Sequence, residues 1–422
     1  MQSRSFACRT KQPTHLLRRE NPIQFHAAMG KYRQSCTISL NERGIGGYID
    51  NTQRQTCEFW HTHQQIESLI TQGTGARAIH QQADSVTQLN TLSTNSLPSD
   101  SRPSDTSPTS PWPTIRLADP VSAARYPLPV QGPANFVPVA DGAAGQWTIT
   151  LLIPTIPADA ILVASFVTPG SITPDHQFRL IADAGEWPLL PVPSLVGERP
   201  DQLPMNDAVS THIDCWHTRL PVNNPTIRLL FTANGPPEHY LIAISSRPLS
   251  VTTASLPCTS VVARTPQAIS QMTAEEPLRR SICSPTSLAM LLPGTGRDEV
   301  LAWTRDRATG MHGSWALAAR AAALKGAVAA VELHSDWETA LAVLRAGLPF
   351  AASIRFAAGE LQGAPLNGTG GHLVVVYGID GDSVLVHDPA ADGDDTVPRR
   401  YDLAEFTTAW LASRGASYII AP

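Results

Sequence analysis

Residues 83–112, ADSVTQLNTLSTNSLPSDSRPSDTSPTSPW, are built mostly from Ser, Thr, Pro, Asp, Asn and Gln. Such a stretch cannot bury enough apolar surface to offset the entropy of ordering it. It therefore reads as a linker and divides the chain. Upstream, residues 1–82 show little periodicity and carry ten Lys/Arg against five Asp/Glu, so that piece is net positive. It is expected to be a poorly ordered extension, or sequence ahead of the natural start, and with the linker it makes residues 1–112 a low-order N-terminal region. Cys57, His61 and His63 lie close together there, but a fourth ligand is missing and the spacing fits no zinc pattern. No metal or other cofactor is expected.

The rest of the chain carries the negative charge, and the whole has a net charge of −5. There is no basic field to hold a phosphate backbone, so nucleic acid is not an expected partner. No stretch reaches the ~18 apolar residues of a membrane helix. The most apolar one, WTITLLIPTIPADAILVASFV, is broken by Pro154, Pro157 and Asp159. The N-terminus lacks the apolar core of a secretory signal, and read literally the chain stays in the cytoplasm. The cysteines Cys8, Cys36, Cys57, Cys215, Cys258 and Cys283 are irregularly spaced with no Cys-x-x-Cys pair. A disulfide framework is not expected in so long a chain.

From 113 to 250 short β-branched or aromatic runs are punctuated by Pro, Gly, Asn and Asp: QWTITLLI, AILVASFV, QFRLIAD, TIRLLFTA and HYLIAISSRP. This pattern predicts an antiparallel β-sandwich-like domain. In STHIDCWHTRL, a strand would put His212 and Asp214 on one face and Cys215 and His217 on the other, which argues against a single site. Residues 251–265 read as a second linker. Residues 266–422 then alternate helix and strand, an α+β domain. CSPTSLAMLL predicts a helix with Pro285 in its first turn, where a missing N–H costs nothing. SWALAARAAALKG has Ser314 as N-cap and Gly326 as stop, and SDWETALAVLRAGLP has Ser335 and Glu338 at capping-box spacing. FAASIRF, HLVVVYGI, SVLVHDP and ASYIIAP read as strands, and DLAEFTTAWLA as a helix capped by Asp402.

Cys283 stands at the mouth of the first of these helices. A helix N-terminus favours the thiolate, and a histidine beside it lowers the thiol pKa further and can protonate a leaving group. Three of the histidines that follow stand at plausible element ends. His312 and His334 lie in loops before helices and read as surface residues. His372 follows the glycine-rich NGTGG and opens the apolar strand LVVVYGI. An orienting acid is then found by counting. If Asp380, Gly381 and Asp382 form a three-residue turn, Ile379 pairs with Ser383 and Val374 lies opposite Asp388. Asp388 is then the diagonal neighbour of His372 on one face. A two- or four-residue turn would put it on the other face. The alternative for Asp388 is a turn residue in DPAADGDD, and Asp388, Asp392, Asp394 and Asp395 suggest calcium without the glutamate of an EF-hand loop. The N–H of Cys283 is a natural oxyanion donor. Gln271 is the nearest upstream glutamine, and by spacing alone it is equally a surface residue.

ICSPTSLAMLL, GSWALAARAAALKG, SIRFAAGELQGAP, GTGGHLVVVYGIDGDSVLVHDPAA and AEFTTAWL, in this order, resemble the bacterial peptidase family thirty-nine-like proteins. These are papain-like relatives of the double-glycine leader peptidases found on bacteriocin exporters. The resemblance covers 266–422, and the preceding β-rich region resembles the accessory domain often found before such peptidases. It implies a papain-like peptidase domain with Cys283 as nucleophile, His372 as general base and acid, Asp388 as its orienter and Gln271 as oxyanion donor. Two positions depart from the family's usual residues: Ile282 stands for tryptophan and His387 for asparagine. Relatives are usually exported, in contrast to the missing signal. The expected function is a cysteine peptidase acting on a peptide or protein, with a cell-envelope target reached through the β-rich region. The alternatives are a papain-like amidase or transpeptidase acting on cell-wall peptides, and a non-catalytic binding module.

Overall fold

The computed structural model describes strands over 23–29, 32–41 and 44–48 and residues 114–422 apart from 141, 143 and 195–202. The chain divides into two units, Met1–Pro103 and Ser104–Pro422. In the first, β1 (Ile23–Met29), β2 (Tyr32–Asn41) and β3 (Gly44–Tyr48) form an antiparallel meander within the stretch expected to lack regular structure. Cys57, His61, His63 and the Ser/Thr/Pro run lie outside the described residues.

The second unit begins with β4 (Ile115–Ala118) and the short helix α1 (Pro120–Arg125), whose first turn is capped by the Asp119 carboxylate. Two five-stranded antiparallel sheets follow. One takes the order β10-β11-β7-β13-β4, with β7 (Ala160–Val167), β10 (Val209–Thr211), β11 (Cys215–Thr218) and β13 (Leu241–Pro248). The other takes the order β5-β6-β12-β8-β9, with β5 (Val137–Pro138), β6 (Gln146–Leu152), β8 (His176–Ala182), β9 (Gly185–Pro188) and β12 (Thr226–Thr232). Strand β12 alternates buried and partly exposed residues, as a strand with one covered face must. Strand β7, AILVASFV, is buried at every position, so its sheet is covered on both faces. Leu162, Ala164 and Phe166 pack with Phe178, Leu180 and Phe231 of the other sheet. Ile161, Val163 and Val167 face a second core shared with the helix–strand region downstream.

That region holds a seven-stranded antiparallel sheet in the order β15-β20-β16-β17-β18-β19, with β14 (Val261–Val262) added against β17. Its strands are β15 (Val328–Leu333), β16 (Phe350–Phe356), β17 (Thr369–Asp380), β18 (Ser383–His387), β19 (Pro398–Asp402) and β20 (Ala416–Ala421). Its helices are α2 (Cys283–Leu291), α3 (Arg297–Thr304), α4 (Trp315–Leu324), α5 (Glu338–Arg345) and α6 (Leu403–Ala412). Asp402 caps α6 as expected, accepting from Ala404 N and Glu405 N. Two other caps differ. Asp336, and not Ser335, accepts from Glu338 N at α5. The N–H of Trp315 at the start of α4 is taken by Asp214 Oδ2 at 2.9 Å, not by Ser314. Asp214 can reach it because residues 212–214 are the turn of the β10–β11 hairpin and not part of a strand. The same turn folds the His212 ring onto His217, 4.2 Å between centroids, where the strand reading had put them on opposite faces.

The sheet that holds β4, β7 and β13 is tied to the edge strand β15 by polar groups as well as apolar packing. Arg116 of β4 makes a bidentate pair with Glu332 of β15, at 2.7 Å from Nε and 2.6 Å from Nη2. Tyr126 donates to the same carboxylate at 2.7 Å. Glu332 is 1% exposed. The outer edge of β15 is covered by serine hydroxyls: Val331 N donates to Ser165 Oγ at 3.2 Å and Leu333 N to Ser245 Oγ at 2.9 Å. Burial pushes the Glu332 carboxyl up, but the hydrogen bonds and charge of Arg116 outweigh it and hold it below the usual carboxylate range. Glu332 therefore stabilises the fold above its unfolded pKa, and that contribution is lost as pH falls through the lower folded value. Replacing one partner of a buried pair leaves the other charge uncompensated. Glu332→Ala is expected to cost about 3–5 kcal/mol at neutral pH, read as a lowered urea midpoint of unfolding.

Candidate active site

Helix α2 is buried from Ser284 to Leu291, with only its first residue, Cys283, partly exposed. Pro285 occupies the first turn, as the sequence predicts. The polar residues of that turn fix the helix in place. Ser287 Oγ donates to Leu373 O at 3.1 Å, joining α2 to the residue after His372. Ser284 Oγ and Tyr418 Oη of β20 are 2.9 Å apart, and Thr286 Oγ1 donates to Ile282 O at 2.7 Å.

His372 lies in β17, 3% exposed and opposite Ile354 of β16. Its Nε2 is 2.8 Å from Asp388 Oδ1. This contact is reached by a different register from the one counted on the sequence. The β17–β18 turn has two residues, Gly381 and Asp382, with Asp380 opposite Ser383. Gly381 takes φ +59°, the left-handed conformation such turns require. Alone, that turn would send Asp388 to the other face. One extra residue in β17 reverses the slip: Gly378 pairs with Leu385 but Val376 pairs with Val386, leaving Tyr377 as a β-bulge. Beyond the bulge Val375 faces His387, and continuing the register brings Val374 opposite Asp388. The bulge sits where β14 pairs antiparallel with the strand. Ala263 N donates to Tyr377 O at 2.8 Å, and a Cβ on Gly378 would stand 2.9 Å from Val261 O.

Asp388 is 1% exposed, and three donors satisfy its carboxylate. Oδ1 accepts from His372 and, at 2.9 Å, from Ala390 N. Oδ2 accepts from Tyr401 Oη at 2.7 Å. Burial pushes the carboxyl up; the charge and hydrogen bond of His372, then Tyr401 and Ala390, hold it below its ordinary value. Burial likewise disfavours the imidazolium, but Asp388 and then Cys283 raise His372 to about 10. With Nε2 taken by Asp388, Nδ1 is left to face the thiol. For Cys283 burial again acts against the charged form. The hydrogen bond and charge of His372, with the N–H groups of Leu373 and Ser284, outweigh it and hold the thiol below its ordinary value.

Gln271 is buried in a single helical turn, Gln271–Thr273. Its N–H donates to Pro389 O at 2.8 Å, next to Asp388, and its Nε2 donates to Arg279 O at 2.7 Å, four residues before Cys283. The residue thus bridges the loop after the acid and the loop before the cysteine. His387 points away from Asp388, with Nδ1 3.3 Å from Gln267 O and its ring against Tyr377. His312 is partly exposed in the loop before α4. His334, expected at the surface, is buried: it follows β15, packs on Trp410 at 5.2 Å and contacts Thr339 Oγ1 through Nδ1 at 2.7 Å. Asp394 Oδ1 accepts from Ser270 N. The sequence reading missed Tyr401. Its strand, PRRYD, looks like a charged turn, and the only signal is one aromatic among alternating polar residues.

A thiol beside an imidazole that is itself held by a buried carboxylate can add to a carbonyl and return the proton to a leaving group. Residues 266–418 match the profile of the Peptidase_C39 like family. Among solved structures, a protein from Bacillus anthracis provisionally described as a C39-like peptidase matches at 19% identity and a TM-score of 0.30, over 38% of this chain and 96% of that one. No curated protein matches. Among the described residues, no helix is long and apolar enough to cross a membrane.

The electrostatics separate the described cysteines. Cys215 is buried and burial pushes its thiol well up, whereas Cys258 is exposed. An ordinary thiol is under ~1% thiolate at pH 6. Iodoacetamide at pH 6 is expected to label Cys283 on the order of 10–100 times faster than Cys258, as read by peptide mass mapping, and to leave Cys215 unlabelled in the folded protein.

Proposed function

We propose that residues 266–418, which match the profile of the Peptidase_C39 like family, cleave peptide bonds by a Cys-His-Asp acyl-enzyme mechanism. The observation that carries this reading is the 2.8 Å contact between His372 Nε2 and the buried Asp388 carboxylate, made beside a thiol held low by the same imidazole. In this mechanism Cys283 Sγ attacks the carbonyl carbon and the carbonyl oxygen becomes an oxyanion. The Cys283 N–H and the second Nε2 hydrogen of Gln271 donate to it. His372 passes its Nδ1 proton to the departing amine. A water, deprotonated by the same nitrogen, then releases the acyl group and restores the thiolate. Asp388 keeps a proton on Nε2 throughout, which fixes the tautomer and the ring orientation.

The arrangement is papain-like in this proposal: the nucleophile opens a helix, and the histidine and acid come from the antiparallel sheet packed against it. Residues 113–250 would serve as the layer that supports that sheet.

The test is a peptide-library digest by the full chain, read by mass spectrometry beside Cys283→Ala. Cleavage by the wild type and none by Cys283→Ala is expected, and equal cleavage by both would end the assignment. Product masses separate hydrolysis from acyl transfer. On any peptide so found, Gln271→Ala is expected to lower kcat by roughly 10²–10³, with a smaller change in KM.

A further inference from the structure

Tyr401 comes from β19, the far edge of the sheet, yet its hydroxyl reaches Asp388 Oδ2 at 2.7 Å. Tyr401 is 1% exposed, its ring is stacked on Phe406 at 6.4 Å between centroids, and Asp388 is 1% exposed. The two carboxylate oxygens therefore have different jobs. Oδ1 takes His372 and the Ala390 N–H, while Oδ2 takes the phenol. A hydrogen bond from a phenol to a buried carboxylate draws negative charge onto the oxygen that accepts it. That charge is then less available to the imidazole on the other oxygen.

We propose that Tyr401 is a positioning residue of this site, which shares the charge of Asp388 and so limits how tightly His372 holds its proton. The proposal rests on the Cys283–His372–Asp388 reading above. In that mechanism His372 must both accept and return a proton, and a proton held too tightly slows its return to the leaving group. The titratable and charged groups facing His372 are Asp388 and Cys283. Those facing Asp388 are His372 and Tyr401, and Arg399 of β19 acts on Tyr401.

The sign follows from which state the phenol favours. Its hydrogen bond stabilises the Asp388 carboxylate most when His372 is neutral, because no positive charge then balances the carboxylate. Removing the hydroxyl therefore favours the imidazolium. Loss of packing, or a carboxylate swung away from His372, would have the opposite effect.

The experiment is a pH titration of the histidine rings by NMR on the full chain without substrate, with the His372 signal assigned by its loss in His372→Ala. The comparison is with Tyr401→Phe, which keeps the ring and its stacking. The wild-type midpoint is expected above the ordinary imidazole value, because the charges and hydrogen bonds of Asp388 and Cys283 outweigh burial. In Tyr401→Phe it is expected to rise by roughly 0.5–1 pH unit. In an Asp388→Asn background the same substitution should leave the midpoint where Asp388→Asn alone puts it, because Tyr401 acts through the carboxylate. A midpoint in Tyr401→Phe that is unchanged or lower overturns the role of Tyr401. Peptide cleavage that persists in Cys283→Ala overturns the Cys-His-Asp reading itself, a distinguishable failure.

Discussion

Tyr377 has no partner across the β17–β18 hairpin, and the position of Asp388 depends on that. A strand's side chains alternate with a period of two, so a slip of one residue exchanges its faces. The two-residue turn at Gly381 and Asp382 makes one such slip and the bulge at Tyr377 makes a second. Together they leave His372 and Asp388 on one face, close enough for a 2.8 Å contact. The bulge is held from outside the hairpin. Strand β14 pairs with β17 at Gly378, and Ala263 N just beyond it takes the Tyr377 carbonyl. A segment that reads as a linker thus fixes the geometry of the site.

The elements that were legible in the sequence are those whose pattern is local. Helix α2, with Pro285 in its first turn, and the apolar strands β16, β17 and β20 stand where the periodicity puts them. What escaped depends on distant partners. Strand β15, VAAVEL, is rich in alanine and carries a glutamate; it is buried because Arg116, more than two hundred residues away, pairs with Glu332. His334 is buried for the same kind of reason, under Trp410. The pairing of His372 with Asp388 was reached by counting through a turn of the wrong length. The count gave the right face only because an equal and opposite shift lay in Tyr377, which no local signal marks.

The site sets burial against hydrogen bonding at each ionisable group. Burial disfavours the charged form of Cys283, of His372 and of Asp388. The hydrogen bonds and charges of its neighbours oppose that effect at each group, so the three titrations are coupled. The hydroxyl of Ser287, bonded to Leu373 O, keeps the helix and the strand at the separation this coupling needs. The groups on either side are ordinary residues of helix α2 and strand β17, and it is their register that brings them together.

The serines that cover β15 have a consequence for the evolution of the chain. A strand edge with free N–H groups invites pairing with any other strand it meets, including that of a sister molecule. Ser165 and Ser245 occupy two of those N–H groups with side chains, from a sheet that is itself buried on both faces. A helix–strand segment transplanted without its sandwich would carry that edge bare into a new protein. A shortened relative would have to silence the edge with charge, proline or a strand of its own.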